Sequence, residues 1–140
     1  MTERKELIGE YYKSLMKFKT LFEDKKDNVC QKYDIQKAHM RLLYNISVSD
    51  KVTTSSLAKE LGITDSAVTQ LIDSLFNLNY VERIHSGEDR RIIYLKLSAF
   101  GIEQFEKIKI DHINHLEILF EQLSDEELLT LTKIQNKLTS

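Results

Sequence analysis

Between Thr53 and Leu97 the apolar spacing changes period, and that switch restricts the chain to few folds. Leu57, Ala58 and Leu61, then Val68, Leu71, Ile72 and Leu75, recur at helical spacing on two short stretches. Gly62 stands between them, where the residue after a helix needs a left-handed backbone. Thr64 follows as an N-cap, and Thr53, Thr54 or Ser55 caps the first stretch. From Tyr80 the pattern alternates through His85, and Arg91 to Leu97 is rich in strand formers. Ser86-Gly87-Glu88-Asp89-Arg90 between them reads as a polar turn in which Gly87 supplies a permissive backbone. Two short helices joined by a glycine turn predict a helix-turn-helix, and a hairpin directly after it makes that a winged helix.

The flanks are helical. Leu7, Ile8, Tyr11, Leu15, Phe18, Leu21 and Phe22 mark an amphipathic helix of about seven turns from Thr2 to Asn28, closed by the polar run Asp24–Asn28. Asp34 is expected to cap a second helix that turns Ala38, Leu42, Leu43 and Ile46 inward. After Ser98 a stripe of Phe105, Ile108, His112, Leu116, Leu119 and Leu123 returns. Ser124-Asp125-Glu126-Glu127 then forms a capping box for a last helix. A winged helix needs only the middle of the chain, so the flanking stripes predict packing across a two-fold axis. The expected fold is mainly α (α+β): a winged helix-turn-helix with a two-stranded β wing and long N- and C-terminal dimerisation helices. It forms one domain over residues 1–140, with a DNA-binding lobe at about 35–97 and dimerisation helices at about 2–28 and 98–140.

Composition excludes several classes. The chain has no proline and four glycines, against collagen-like or linker-like structure. Its net charge of −2 argues against binding nucleic acid by bulk charge, and from Ser98 onward four basic residues face eight acidic ones. The one cysteine, Cys30, cannot form an internal disulfide and is read as a partly buried thiol. No stretch approaches the ~18 apolar residues that span a membrane, and Met1–Glu6 does not read as a signal peptide. A soluble cytoplasmic protein is expected. No nucleophile elbow, zinc-protease pair or phosphate loop is present, so no enzyme is expected and no cofactor.

The run Leu57–Leu75, then Tyr80-Val81-Glu82-Arg83, then Asp89-Arg90-Arg91 leading to Leu95-Lys96-Leu97-Ser98, resembles the MarR family of bacterial transcription regulators, and the helix order extends the resemblance over essentially the whole chain. It implies a homodimer that binds a palindromic double-stranded DNA operator, usually as a repressor, often released by a small ligand. Carried onto this sequence, the recognition helix would present Asp65, Ser66, Thr69, Gln70 and Asp73 to the major groove. Gln pairs with adenine, Ser and Thr bond bases or phosphates, and Asp73 can accept from a cytosine amino group. The wing would use Asp89, Arg90 and Arg91, the arginine reaching the minor groove and the aspartate holding its shape. Lys59 and Arg83 would contact backbone phosphates. The helix carries no Lys or Arg, and Asn79 stands where relatives have Gly.

The aromatic residues of the first two helices, among them Tyr11, Tyr12, Phe18, Phe22, Tyr33 and Tyr44, are read mainly as core, and the ligand cleft that the resemblance implies would take a small aromatic or other effector. His112 and His115 are the candidates for a metal site, but their spacing fits no zinc motif and no metal is expected. The alternatives are a winged-helix module for protein association without specific DNA binding, and a metal-responsive regulator.

Overall fold

The computed structural model describes residues 2–89 and 91–140. The elements run α1 (Glu3–Tyr33), α2 (Lys37–Ser47), α3 (Thr54–Leu61), α4 (Asp65–Asn77), β1 (Val81–His85), β2 (Ile93–Leu97), α5 (Ala99–Leu119) and α6 (Asp125–Thr139). This is a mainly helical winged helix-turn-helix with one antiparallel strand pair, as the change of period predicts. No helix among the described residues is long and apolar enough to cross a membrane.

The chain divides into two units, residues 27–110 and residues 1–26 with 111–140. The first is the winged helix and holds the core. Leu42, Leu43, Leu57, Val68, Leu75 and Ile108 are almost wholly buried, each contributing ~1.5–3 kcal/mol relative to exposure. Val29 and Cys30 from the end of α1 and Phe105 and Ile108 from α5 belong to this same core. The sheet pairs Val81 with Leu97 and Arg83 with Leu95, and Leu95 N–H also donates to the Val52 carbonyl at 2.7 Å, extending the sheet before α3.

Three local expectations are corrected. α1 does not stop at Asn28 but runs to Tyr33, because Val29 and Cys30 are buried in the core and carry the helix past the polar run. Asp34 does not cap α2. It takes a left-handed backbone at φ 54 that ends α1, and Gln36 is the N-cap, in a reciprocal box with His39. Gly87 adopts no left-handed backbone: Gly62 is the only glycine with positive φ among the described residues. The wing turn is shaped instead by the Ser86 hydroxyl, which accepts from Glu88 N–H at 3.2 Å and Asp89 N–H at 3.3 Å.

The expected caps at Thr53, Thr64 and Ser124 are present, and Gly62 sits at φ 67. Asn79 holds φ 64, a conformation Asn tolerates better than most residues, which accounts for Asn in place of Gly there.

The second unit has a different character. Among its described residues none is buried. Leu7, Tyr12, Ile113, Ile118 and Leu138 are each more than half exposed. Phe18 packs on Phe22 and on Phe120 with ring centroids 5.9 and 5.8 Å apart, and these rings with Tyr11, Leu15 and Leu131 line a groove of about 460 Å³.

Candidate nucleic-acid interface

Helix α4 carries the expected reading face. Thr64 Oγ1 accepts from Ala67 N–H at 3.1 Å and starts the helix. Val68, Ile72 and Leu75 are buried, which turns Asp65, Ser66, Thr69, Gln70 and Asp73 to solvent. The two acids already have protein partners. Asp65 lies in the first turn, where the helix dipole favours a carboxylate, and accepts from the Ser55 hydroxyl at 3.4 Å. This ties α3 to α4. Thr69 Oγ1 donates back to the Asp65 carbonyl at 2.9 Å. The face therefore offers neutral donors and acceptors at Ser66, Thr69 and Gln70.

The sequence assigns Asp73 and Arg83 to separate contacts, one to a base and one to a phosphate. They meet. Arg83 Nη2 donates to Asp73 Oδ1 at 2.6 Å, and the guanidinium lies 4.6 Å above the Phe76 ring. Phe76 is the residue that the sequence reading missed. Its place three residues after Asp73 puts the two on one helix edge, and Arg83 continues the row of β1 that starts at the buried Val81, where that row emerges into solvent. The pair fixes a guanidinium at the junction of α4 and the wing.

The wing projects from a short buried base. Of β1 only Val81 is buried, and of β2 only Leu95 and Leu97. Beyond them on the same row Arg83 is exposed and Ile93 is about two-fifths exposed, so the buried part of the inward row stops near the base of the hairpin. Glu82 and Lys96 pair across the strands at 3.7 Å. At the tip Asp89 Oδ1 accepts from the Arg91 backbone N–H at 3.0 Å and from Arg91 Nε at 3.2 Å. These bonds, the backbone one foremost, hold the Asp89 carboxyl below its ordinary range. The Arg91 side chain is 91% exposed, which leaves its guanidinium accessible while one edge is anchored. Arg90 lies outside the described residues.

Lys59 is exposed in the last turn of α3 and borders a hollow of about 550 Å³ shared with Ser55, Gly62 and Asp65. The sequence-assigned residues among those described thus fall on α3, α4 and the hairpin of one unit, and the Arg83 ion pair joins two of those elements.

The other singled-out residues lie elsewhere. Cys30 is buried and its thiol donates to Met40 Sδ at 3.3 Å. His39 is buried, with Nδ1 accepting from Gln36 N–H at 2.9 Å, and burial lowers its pKa. In the second unit His112 stands edge-on to Phe22 at 5.5 Å. Burial first, then Lys26 and His115, lower its pKa against an opposing pull from Glu23. No group of three or more His, Cys, Asp or Glu able to hold a metal occurs among the described residues.

Comparison with known proteins agrees with this geometry. The MarR family profile matches residues 33–92. The chain is 26% identical to the HTH-type transcriptional regulator YhbI of Bacillus subtilis over 94% of its own length and 92% of that protein's. It is 28% identical to the HTH-type transcriptional repressor MdtR of the same organism, over 77% of this chain and 70% of that one. Its fold matches that of Streptococcus pneumoniae FabT, solved in complex with DNA, with a TM-score of 0.70, 28% identity and coverage of 96% and 94% of the two chains. The exposed helix α4, the wing beside it and these likenesses support a DNA-binding transcriptional regulator whose winged helix, over residues 33–92, is similar to that of the MarR family.

Proposed function

We propose that the chain works as a homodimeric repressor of a palindromic operator, with α4 of each copy in a major groove and each wing in an adjacent minor groove. The observation that carries the dimer is the second unit. It has no buried residue among those described, yet it exposes Leu7, Ile113, Ile118 and Leu138. Large apolar side chains left in water by one copy are the signature of a surface completed by another. A two-fold axis then presents two copies of α4, and half-sites separated by about one turn of DNA, ~10 bp, follow from that symmetry.

Base reading falls to Ser66, Thr69 and Gln70, with Asp65 and Asp73 present on the same face but engaged by Ser55 and Arg83. Asp89 and Arg91 serve the minor groove, together with Arg90, and Lys59 and Arg83 the phosphates. Repression needs no further parts: a dimer seated on an operator blocks access to it. The likeness to MdtR supports the same reading. Release by a small aromatic or apolar effector is supported by the groove at Phe18, Phe22 and Phe120, whose volume of about 460 Å³ suits a small molecule.

The test is selection of bound duplexes from a random pool, followed by sedimentation of the protein with the selected duplex. A palindrome bound by two copies is expected. A monomer, or a pool without enrichment and without salt-dependent binding, would favour a protein-association module instead.

A further inference from the structure

The hairpin and the recognition helix are joined where α4 ends, and the first turn of α5 is built into the joint. Tyr80 N–H donates to the Leu75 carbonyl at 2.9 Å, and Asn79 between them takes the left-handed backbone. Ser98 N–H donates to the Tyr80 carbonyl at 3.0 Å, one step beyond the last paired residues of the sheet. The Ser98 hydroxyl does two things at once. It donates to the Asn79 carbonyl at 2.6 Å and accepts from Gly101 N–H at 2.8 Å, so the group that caps α5 also holds the end of α4. Gly101 completes the joint. A Cβ there would lie 1.9 Å from the Tyr80 carbonyl oxygen and 2.8 Å from its carbon, both backbone atoms that cannot swing aside. Only glycine lets α5 cross the chain at that point. The Tyr80 ring, itself buried, packs on Phe100 with centroids 5.7 Å apart.

We infer that Ser98 and Gly101 are positioning residues for DNA reading: they lock the base of the wing to the end of α4, so that helix and wing meet their two grooves in one fixed relation. This rests on the DNA-binding reading above. Neither residue reaches DNA in that reading. Their effect is transmitted through α4 and the hairpin, whose relative placement decides whether Gln70 and Arg91 can engage one site together. A joint that slackens leaves each element able to touch phosphate but less able to read sequence, because shared specificity requires both in register.

The experiment compares Ser98→Ala, Ser98→Thr and Gly101→Ala with the native dimer on the selected palindrome, on the same palindrome with one base pair added at its centre, and on a random duplex. Ser98→Ala should bind the palindrome about tenfold more weakly while binding the random duplex unchanged, and should discriminate less against the altered spacing. Ser98→Thr keeps the hydroxyl and should restore native discrimination. Gly101→Ala should lose discrimination further. A merely structural joint would lower the melting temperature and leave the ratio of specific to random binding as it was, and that result overturns the inference. Hydrogen exchange on the native protein removes dependence on folding of the variants. The amides of Tyr80, Ser98 and Gly101 should open together, and independent, faster exchange at Ser98 and Gly101 would also overturn it. If the native protein itself prefers no duplex, the DNA-binding reading fails first. A native protein that discriminates, beside a folded Ser98→Ala that discriminates equally, defeats the positioning role alone.

Discussion

Arg83 of β1 binds Asp73 of α4, Nη2 to Oδ1 at 2.6 Å, with the guanidinium 4.6 Å over the Phe76 ring. The bond neutralises the acid nearest the C-terminal half of the recognition helix. It also aims a cation from the strand toward the helix edge. Both side chains are partly exposed, so the pair is worth well under a buried ion pair, roughly 0.5–1 kcal/mol in a double-mutant cycle. Its larger effect is expected on DNA. Asp73→Ala should free Arg83, raise affinity for random duplexes and steepen the salt dependence. Arg83→Ala should strand a carboxylate beside phosphate and weaken all sequences alike. Binding isotherms at several salt concentrations decide this, and an effect of Asp73→Ala confined to one base position would restore Asp73 as a base-reading group.

The reading face predicts a second pattern. Thr69→Ala and Gln70→Ala should each change preference at particular base pairs by ~1–3 kcal/mol, with the fold unaltered because both are exposed. Competition against single-base variants of the selected operator measures it. Uniform weakening across all variants would move the reading face elsewhere.

At the wing tip, Arg91→Ala should cost ~1–3 kcal/mol of operator affinity and lower the salt slope by about one per protomer. The melting temperature should stay put, since the side chain is 91% exposed. Asp89→Ala should give a smaller loss, because it removes the anchor rather than the cation. The Asp89 carboxyl is held below its ordinary range by the Arg91 N–H and guanidinium, so this anchoring is present above the ordinary carboxylate pKa and is lost as pH falls through the lowered one. Binding that is unchanged in Arg91→Ala would remove the wing from recognition.

His39 sets a pH dependence of stability. Burial lowers its pKa, and its Nδ1 must stay unprotonated to accept from Gln36 N–H. The unfolded chain takes up a proton near the ordinary value of about 6.5 while the folded chain does not. Stability from this group is therefore complete above that value and falls as pH drops below it toward the lowered pKa. His112 acts in the same direction. His39→Gln keeps an acceptor at the third position of α2 without titrating, and should flatten the fall in melting temperature between about pH 7 and pH 5. An identical pH profile in the variant would show that the transition is governed by other groups.

The dimer surface gives the last prediction. Removing residues 124–140 takes away α6, with Leu131, which lines the aromatic groove, and the exposed Leu138. The truncated chain should sediment as a monomer or aggregate, with operator binding reduced accordingly. A stable dimer of the truncated chain would place the interface on other surfaces.

Local pattern is enough to name the elements and their order. Periods of 3.6 and 2 fix helices and strands, and a Thr or Ser at 53–55, Gly62, Thr64 and Ser124 mark helix ends because these signals are local: a capping side chain bonds a backbone group three residues away, and glycine takes the left-handed backbone without strain. The exposure of Ser66, Thr69 and Gln70 followed from the burial of Val68, Ile72 and Leu75, which is legible in one helix. The features that local pattern leaves open arise between elements. α1 continues past its charged run because the core claims Val29 and Cys30, a demand made by other helices. Asp73 looked like a base-reading acid until Arg83, ten residues on, arrived beside it along β1. Gly101 reads as an ordinary helical glycine until the Tyr80 carbonyl is found where its Cβ would stand. Such contacts depend on how turns and packing bring separate segments together, and no periodicity within either segment encodes the distance between them.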